Sequence, residues 1–145
     1  MPKRYIRQII CMLMVMTMVF NCNLARAAET MDREKQTNTR SDNLLTGDVS
    51  FTISAYGAAS IFASVTGRSG TTKVVMTVKL QRYNTSTSSW ERVQNWKVTA
   101  NGGPAVFDDV YGLFTHGRYR VRIVTVITRN GVDEELAFNS VERVY

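Results

Sequence analysis

The chain has 145 residues, with 18 Lys and Arg against 12 Asp and Glu, one histidine and two cysteines. Its formal charge of +6 is unevenly placed: Lys3, Arg4, Arg7 and Arg26 lie in residues 1–27, where there is no acid. The remainder holds 14 basic and 12 acidic residues, a net of +2, so overall charge makes no case for a nucleic-acid partner.

Residues 1–27 have the parts of a signal peptide. Lys3, Arg4 and Arg7 form a positive start, Ile9–Phe20 an apolar run, and Ala25-Arg26-Ala27 a small-residue cleavage pattern. The apolar run falls short of the roughly 20 residues that a membrane span needs. The predicted location is therefore secreted or extracellular, and membrane contact is expected only through this transient segment. A lipoprotein acylated at Cys22 is the alternative, although Asn21 stands where such motifs want a small residue. Cleavage after Ala27 would remove both Cys11 and Cys22. The exported chain would then lack a disulfide, a thiolate nucleophile and a cysteine metal site.

Ala28–Gly47 is polar and mixed in charge, and reads as a flexible spacer. From Asp48 to Tyr145 the sequence becomes short alternating runs between turn signals. Val49, Phe51 and Ile53 share one face; Ile61, Ala63 and Val65 share another. Lys73–Tyr83 is the best-patterned strand, with Val74, Met76, Val78 and Leu80 on one side. The polar loop Asn84–Ser89 leads into a returning arm, Trp90–Thr99. Ala105–Val110 is a short strand that aligns Val106 with Asp108. Gly117–Val144 forms two long strands joined at Asn130-Gly131, the residue pair preferred where both loop positions need positive φ. The predicted fold is all-β: a two-layer antiparallel β-sandwich of about seven strands in one domain.

Gly117-Arg118-Tyr119-Arg120-Val121 resembles the tyrosine corner of immunoglobulin-like and fibronectin-like sandwiches. The resemblance implies that the Tyr119 hydroxyl reaches back to backbone within Val110–Thr115. Val121 stands where antibody domains keep a cysteine, and Lys73–Tyr83 lacks their tryptophan, so the likeness is to the broad architecture. The signal peptide, the spacer, the Leu80–Tyr83 and Trp90 hairpin and the Gly117–Thr125 strand are also similar to small exported, largely uncharacterised single-domain proteins of Gram-positive bacteria. That likeness implies no activity.

Two surfaces are candidate binding sites. The hairpin turn puts Tyr119, Val121, Ile123, Thr125 and Ile127 on a buried side with Leu136 and Phe138. Arg118, Arg120 and Arg122 then line the other side at about 6.7 Å spacing, with Arg143 across from Arg118 and no acid directly opposite. Such a stripe suits an anionic cell-wall polymer or acidic glycan; its other reading is a solvated outer face. The second candidate is an aromatic platform for sugars, made by Tyr83, Trp90 and Trp96 beside the hydroxyl-rich loop. Its other reading is a cross-strand aromatic pair, with Trp96 in the core.

Catalysis has little support. His116 is alone in a turn, without a nucleophile or acid partner in its pattern. Asp108 and Asp109 point to opposite faces of a strand. Asp133-Glu134-Glu135 lacks calcium-loop spacing and reads as a charged guard on an edge strand. No cofactor motif is present. The functional expectation is a non-enzymatic binding module with a polymer, glycan or protein partner; the protein-binding alternative would use an exposed sheet edge or the Val124, Val126 and Val141 face.

Overall fold

A computed structural model describes residues 34–36 and 41–145. The predicted signal peptide, cleavage site and both cysteines lie outside the described residues, as does half of the predicted spacer. Among the described residues there are nine strands: β1 (Glu34–Gln36), β2 (Leu44–Ile53), β3 (Ala58–Gly67), β4 (Thr71–Asn84), β5 (Ser89–Ala100), β6 (Ala105–Gly112), β7 (Arg118–Arg129), β8 (Val132–Asn139) and β9 (Arg143–Val144). The seven predicted strands correspond to β2 through β8, and no helix occurs among the described residues.

The strands form two antiparallel sheets. One has the order β1-β2-β3-β6; the other has the order β5-β4-β7-β8, with β9 also paired to β7. The predicted two-layer sandwich is therefore present. Alternation explains the layering: Val49 and Phe51 of β2, and Ile61, Ala63 and Val65 of β3, face Val74, Met76, Val78 and Leu80 of β4. Val121, Ile123 and Ile127 of β7 complete the same buried core.

The β7–β8 corner sets which side chains enter that core. Arg129 pairs with Val132, leaving Asn130 at φ 53° and Gly131 at φ 79° as the two loop residues. Both sit in the left-handed region that a two-residue hairpin of this hand requires. With that register, Ile123 faces Phe138 and Thr125 faces Leu136. The Tyr119 hydroxyl donates to the Thr115 carbonyl, inside the expected stretch.

Three expectations change. First, the folded region starts before Asp48: β2 begins at Leu44, which is buried, and β1 pairs with residues 47–49. The polar letters of this stretch conceal structural contacts. Asn43 donates its side-chain amide to the Ile127 and Val132 carbonyls, and the Asp42 and Asn43 backbone amides donate to the Glu134 carboxylate. Glu134, read as part of an edge guard, thus ties the start of one sheet to the other.

Second, the β7 pairing slips by one residue beyond Asn139. Ser140 exchanges bonds with Val121 through its backbone amide and its hydroxyl, and Arg143 then pairs with Tyr119 rather than Arg118. Third, Val106 and Asp108 are aligned as expected but on the exposed side, while Ala105 is buried and Phe107 packs against the core.

Two stability predictions follow from this packing. A Cβ at Gly131 would meet no other atom within 4 Å, so only the positive φ opposes one. Gly131→Ala should lower stability by about 1 kcal/mol, read from the urea midpoint. Thr125 is fully buried, and its hydroxyl has no hydrogen-bond partner among the described residues. Thr125→Val should raise stability by about 1 kcal/mol in the same measurement.

Candidate functional site

The outer face of the β5-β4-β7 sheet gathers most of the predicted site residues. Tyr83 pairs with Trp90 across the β4–β5 hairpin, and Gln81 pairs with Arg120 between β4 and β7. The Tyr83 and Trp90 rings meet edge to face, with centroids 5.3 Å apart. Above them lie two guanidiniums. Arg118 is 4.3 Å from the Tyr83 ring centroid and 5.9 Å from that of Trp90; Arg120 is 4.3 Å from that of Trp90. Negative charge on a ring face attracts a cation at such distances.

The loop below these rings is held by its own side chains. Asn84 accepts from the Ser86 backbone amide at 2.8 Å and donates to Glu91 at 2.6 Å. Ser88, at φ 51°, turns the chain into β5. The hairpin thereby fixes the Tyr83–Trp90 pair from one end.

Arg120 is the best-held member of the basic stripe. Its Nε donates to Gln81 Oε1 at 3.0 Å. Burial lowers its pKa from the ordinary guanidinium value, and neighbouring Arg122 lowers it further, while Glu142 acts in the opposite sense. A guanidinium so placed is still charged at neutral pH. Its like-charged neighbour shows that Arg120 and Arg122 share a positive field. Lys79 pairs with Arg122 on β4 and extends that field toward the sheet centre.

Arg143 is not part of the stripe, because the slip at Ser140 moves it opposite Tyr119. The same slip brings an acid where none was expected: Glu142 lies 3.6 Å from Arg118. This ion pair is half-exposed, and pairs of that kind stabilise by about 0–1 kcal/mol. Arg118 is therefore partly neutralised, whereas no salt bridge occurs at Arg120 or Arg122 among the described residues.

Trp96 leaves the platform altogether. Leu80 pairs with Gln94 but Gln81 pairs with Arg92, so Val93 is an extra residue in β5. One extra residue reverses the in-and-out alternation of the strand beyond it. Trp90 consequently stays outside, while Trp96 turns inward opposite Val78. There it packs between the sheets against Phe107 at 5.2 Å and Tyr111 at 6.0 Å. Single-strand alternation gave no signal for this inversion.

Val124 and Val126 lie further along the same outer face but are only half-exposed, paired with Thr77 and Val75 on one side and Ala137 and Glu135 on the other. His116 lies elsewhere, at the end of the sandwich. Its ring stacks on that of Tyr145 at 4.3 Å, and Gly117 and Tyr145 exchange backbone hydrogen bonds. No group of three or more His, Cys, Asp or Glu side chains among the described residues is placed to hold a metal ion.

Removing the extra residue tests the inversion. Deletion of Val93 should bring Trp96 to the outer face or misalign Trp90, with a loss of about 3 kcal/mol from the core. The check is urea unfolding together with iodide quenching of tryptophan emission, which should increase. No family model and no curated protein matches the chain, so its functional reading rests on the geometry of this face.

Proposed function

We propose that the chain is an exported, non-catalytic binding module whose ligand is an anionic polymer of the cell envelope or extracellular space. The supporting observation is the pair of guanidiniums held over aromatic faces. A free arginine side chain loses rotamer freedom when it binds an anion. Here Arg118 and Arg120 are already positioned by Tyr83, Trp90 and Gln81. Their remaining N–H groups can meet phosphate or carboxylate oxygens at lower entropic cost. The spacing of Arg118, Arg120 and Arg122 along one strand suits a chain with regularly repeated charges.

A neutral sugar fits this face less well. A pyranose needs an open ring face for stacking, and one face of each ring already carries an arginine. The inward turn of Trp96 removes a third stacking partner. An acidic glycan remains within the proposed class because its carboxylates or sulfates could meet the guanidiniums.

The immunoglobulin-like reading of the sandwich belongs to the same proposal. It is supported by the β2-β3-β6 and β4-β7-β8 groupings and by the bond from Tyr119 to Thr115. A second functional reading, a protein-interaction domain, draws support from Val106 and Val110, both exposed on the outer side of the other sheet.

The test is binding of the processed chain to a polyglycerol-phosphate polymer and to a polyuronate. Changing Arg118, Arg120 and Arg122 together to Ser should weaken binding roughly tenfold or more and flatten its dependence on salt. The same triple variant should keep its cooperative unfolding, because all three side chains lie outside the core. Binding that is insensitive to salt and equal in parent and variant would refute the reading.

A further inference from the structure

The end of the sandwich that carries the β2–β3 turn and the β6–β7 loop has a different chemistry from the arginine face. Tyr56 is 95% exposed and Phe114 is 94% exposed, the two most exposed large apolar side chains among the described residues. Single exposed rings are ordinary, but these two are structurally linked. Leu113 donates its backbone amide to the Gly57 carbonyl at 2.8 Å, so the two rings stand next to a bonded pair of loop residues. The turn below Tyr56 is held by Ser54, whose hydroxyl accepts from the Tyr56 and Ala58 amides.

Phe114 also borders a concavity of about 250 Å³ that Arg82, Arg92, Val93 and Tyr111 line with it. Glu91 is the acid in this lining, and its carboxylate is engaged by Asn84. Arg82 lays its aliphatic stem beside Gly117. This end therefore presents two aromatic tips and a cationic flank.

We propose that this end docks on an anionic lipid bilayer, with Tyr56 and Phe114 entering the interface and Arg82 and Arg92 meeting lipid phosphates. Aromatic side chains favour the boundary between headgroups and acyl chains, and basic residues beside them are drawn to anionic lipid. Charge favours anionic lipid as the occupant: Arg82 and Arg92 line the concavity beside Phe114. The two exposed rings project from separate turns, β2–β3 and β6–β7. A fluid interface can close around separate tips at a depth of roughly 5–10 Å. Docking in this way departs from the expectation that only the signal peptide meets lipid. It does not depend on polymer binding at the arginine face.

The experiment uses the processed chain beginning at Ala28, because the apolar run Ile9–Phe20 would itself partition into lipid. Sedimentation is measured with vesicles of phosphatidylcholine alone and of phosphatidylcholine mixed equally with phosphatidylglycerol. Binding to the mixture should exceed binding to the neutral lipid roughly tenfold. Changing Tyr56 and Phe114 together to Ser should weaken binding to the mixture roughly tenfold, with an unchanged urea midpoint. Changing Arg82 and Arg92 together to Gln should weaken binding to the mixture but not to phosphatidylcholine.

A Phe114→Trp variant gives a direct reading of insertion. On the mixed vesicles its emission, relative to the parent, should shift to the blue and be quenched by brominated acyl chains. Absence of binding, equal binding by the Tyr56 and Phe114 double variant, or an unshifted Phe114→Trp signal would each overturn the proposal. Self-association that the double variant abolishes, without vesicle binding, would assign the rings to a second copy and overturn it as well.

Discussion

Alternation along β7 is the constraint on which the other features depend. The strand is hydrogen-bonded on both sides, to β4 along one edge and to β8 and β9 along the other. Its side chains cannot change faces without breaking two ladders at once. The corner at Asn130 and Gly131 fixes its phase against β8. Val121, Ile123 and Ile127 are then inside, and Arg118, Arg120 and Arg122 outside. Core packing and surface charge are two results of one register.

Much of this was legible in the residues. The apolar alternation of β2, β3 and β4, the asparagine–glycine corner and the reach of Tyr119 all depend on contacts close in sequence or on a strict period of two. What escaped were departures from that period. Val93 and Ser140 each shift a pairing by one residue, and neither carries a distinctive letter. Their effects account for the inward turn of Trp96 and the displacement of Arg143. The role of Glu134 escaped for another reason: its partners, Asp42 and Asn43, are 92 and 91 residues away in the chain. A carboxylate that accepts from distant backbone amides has the same letter as one in open water.

The arginine face shows how a charged strand is accommodated without matching acids. Glu142 forms its salt bridge with Arg118 and acts on Arg120 only through its charge. Arg120 is held instead by an aromatic ring and a glutamine side chain, neither of which cancels its charge. Carboxylates at those positions would have offered comparable anchoring while removing the field. The arrangement keeps order and net charge together, which is the physical basis of the proposed polymer site. At the same end of the sandwich the β2–β3 turn is organised by sterics: Gly57 lies so near the Tyr145 ring and the Leu113 carbonyl that a Cβ there would approach them to 2.7 and 2.8 Å.

Val93 has one more effect. β5 is the last strand of its sheet, twelve residues long, and its outer backbone groups face away from β4. A straight border of that length invites a second molecule to continue the ladder, and repetition of that step builds a fibre. The surplus residue breaks the even spacing of donors and acceptors midway along the border, where Arg92 adds charge. The kink that redirects a tryptophan therefore also discourages the chain from templating its own polymer.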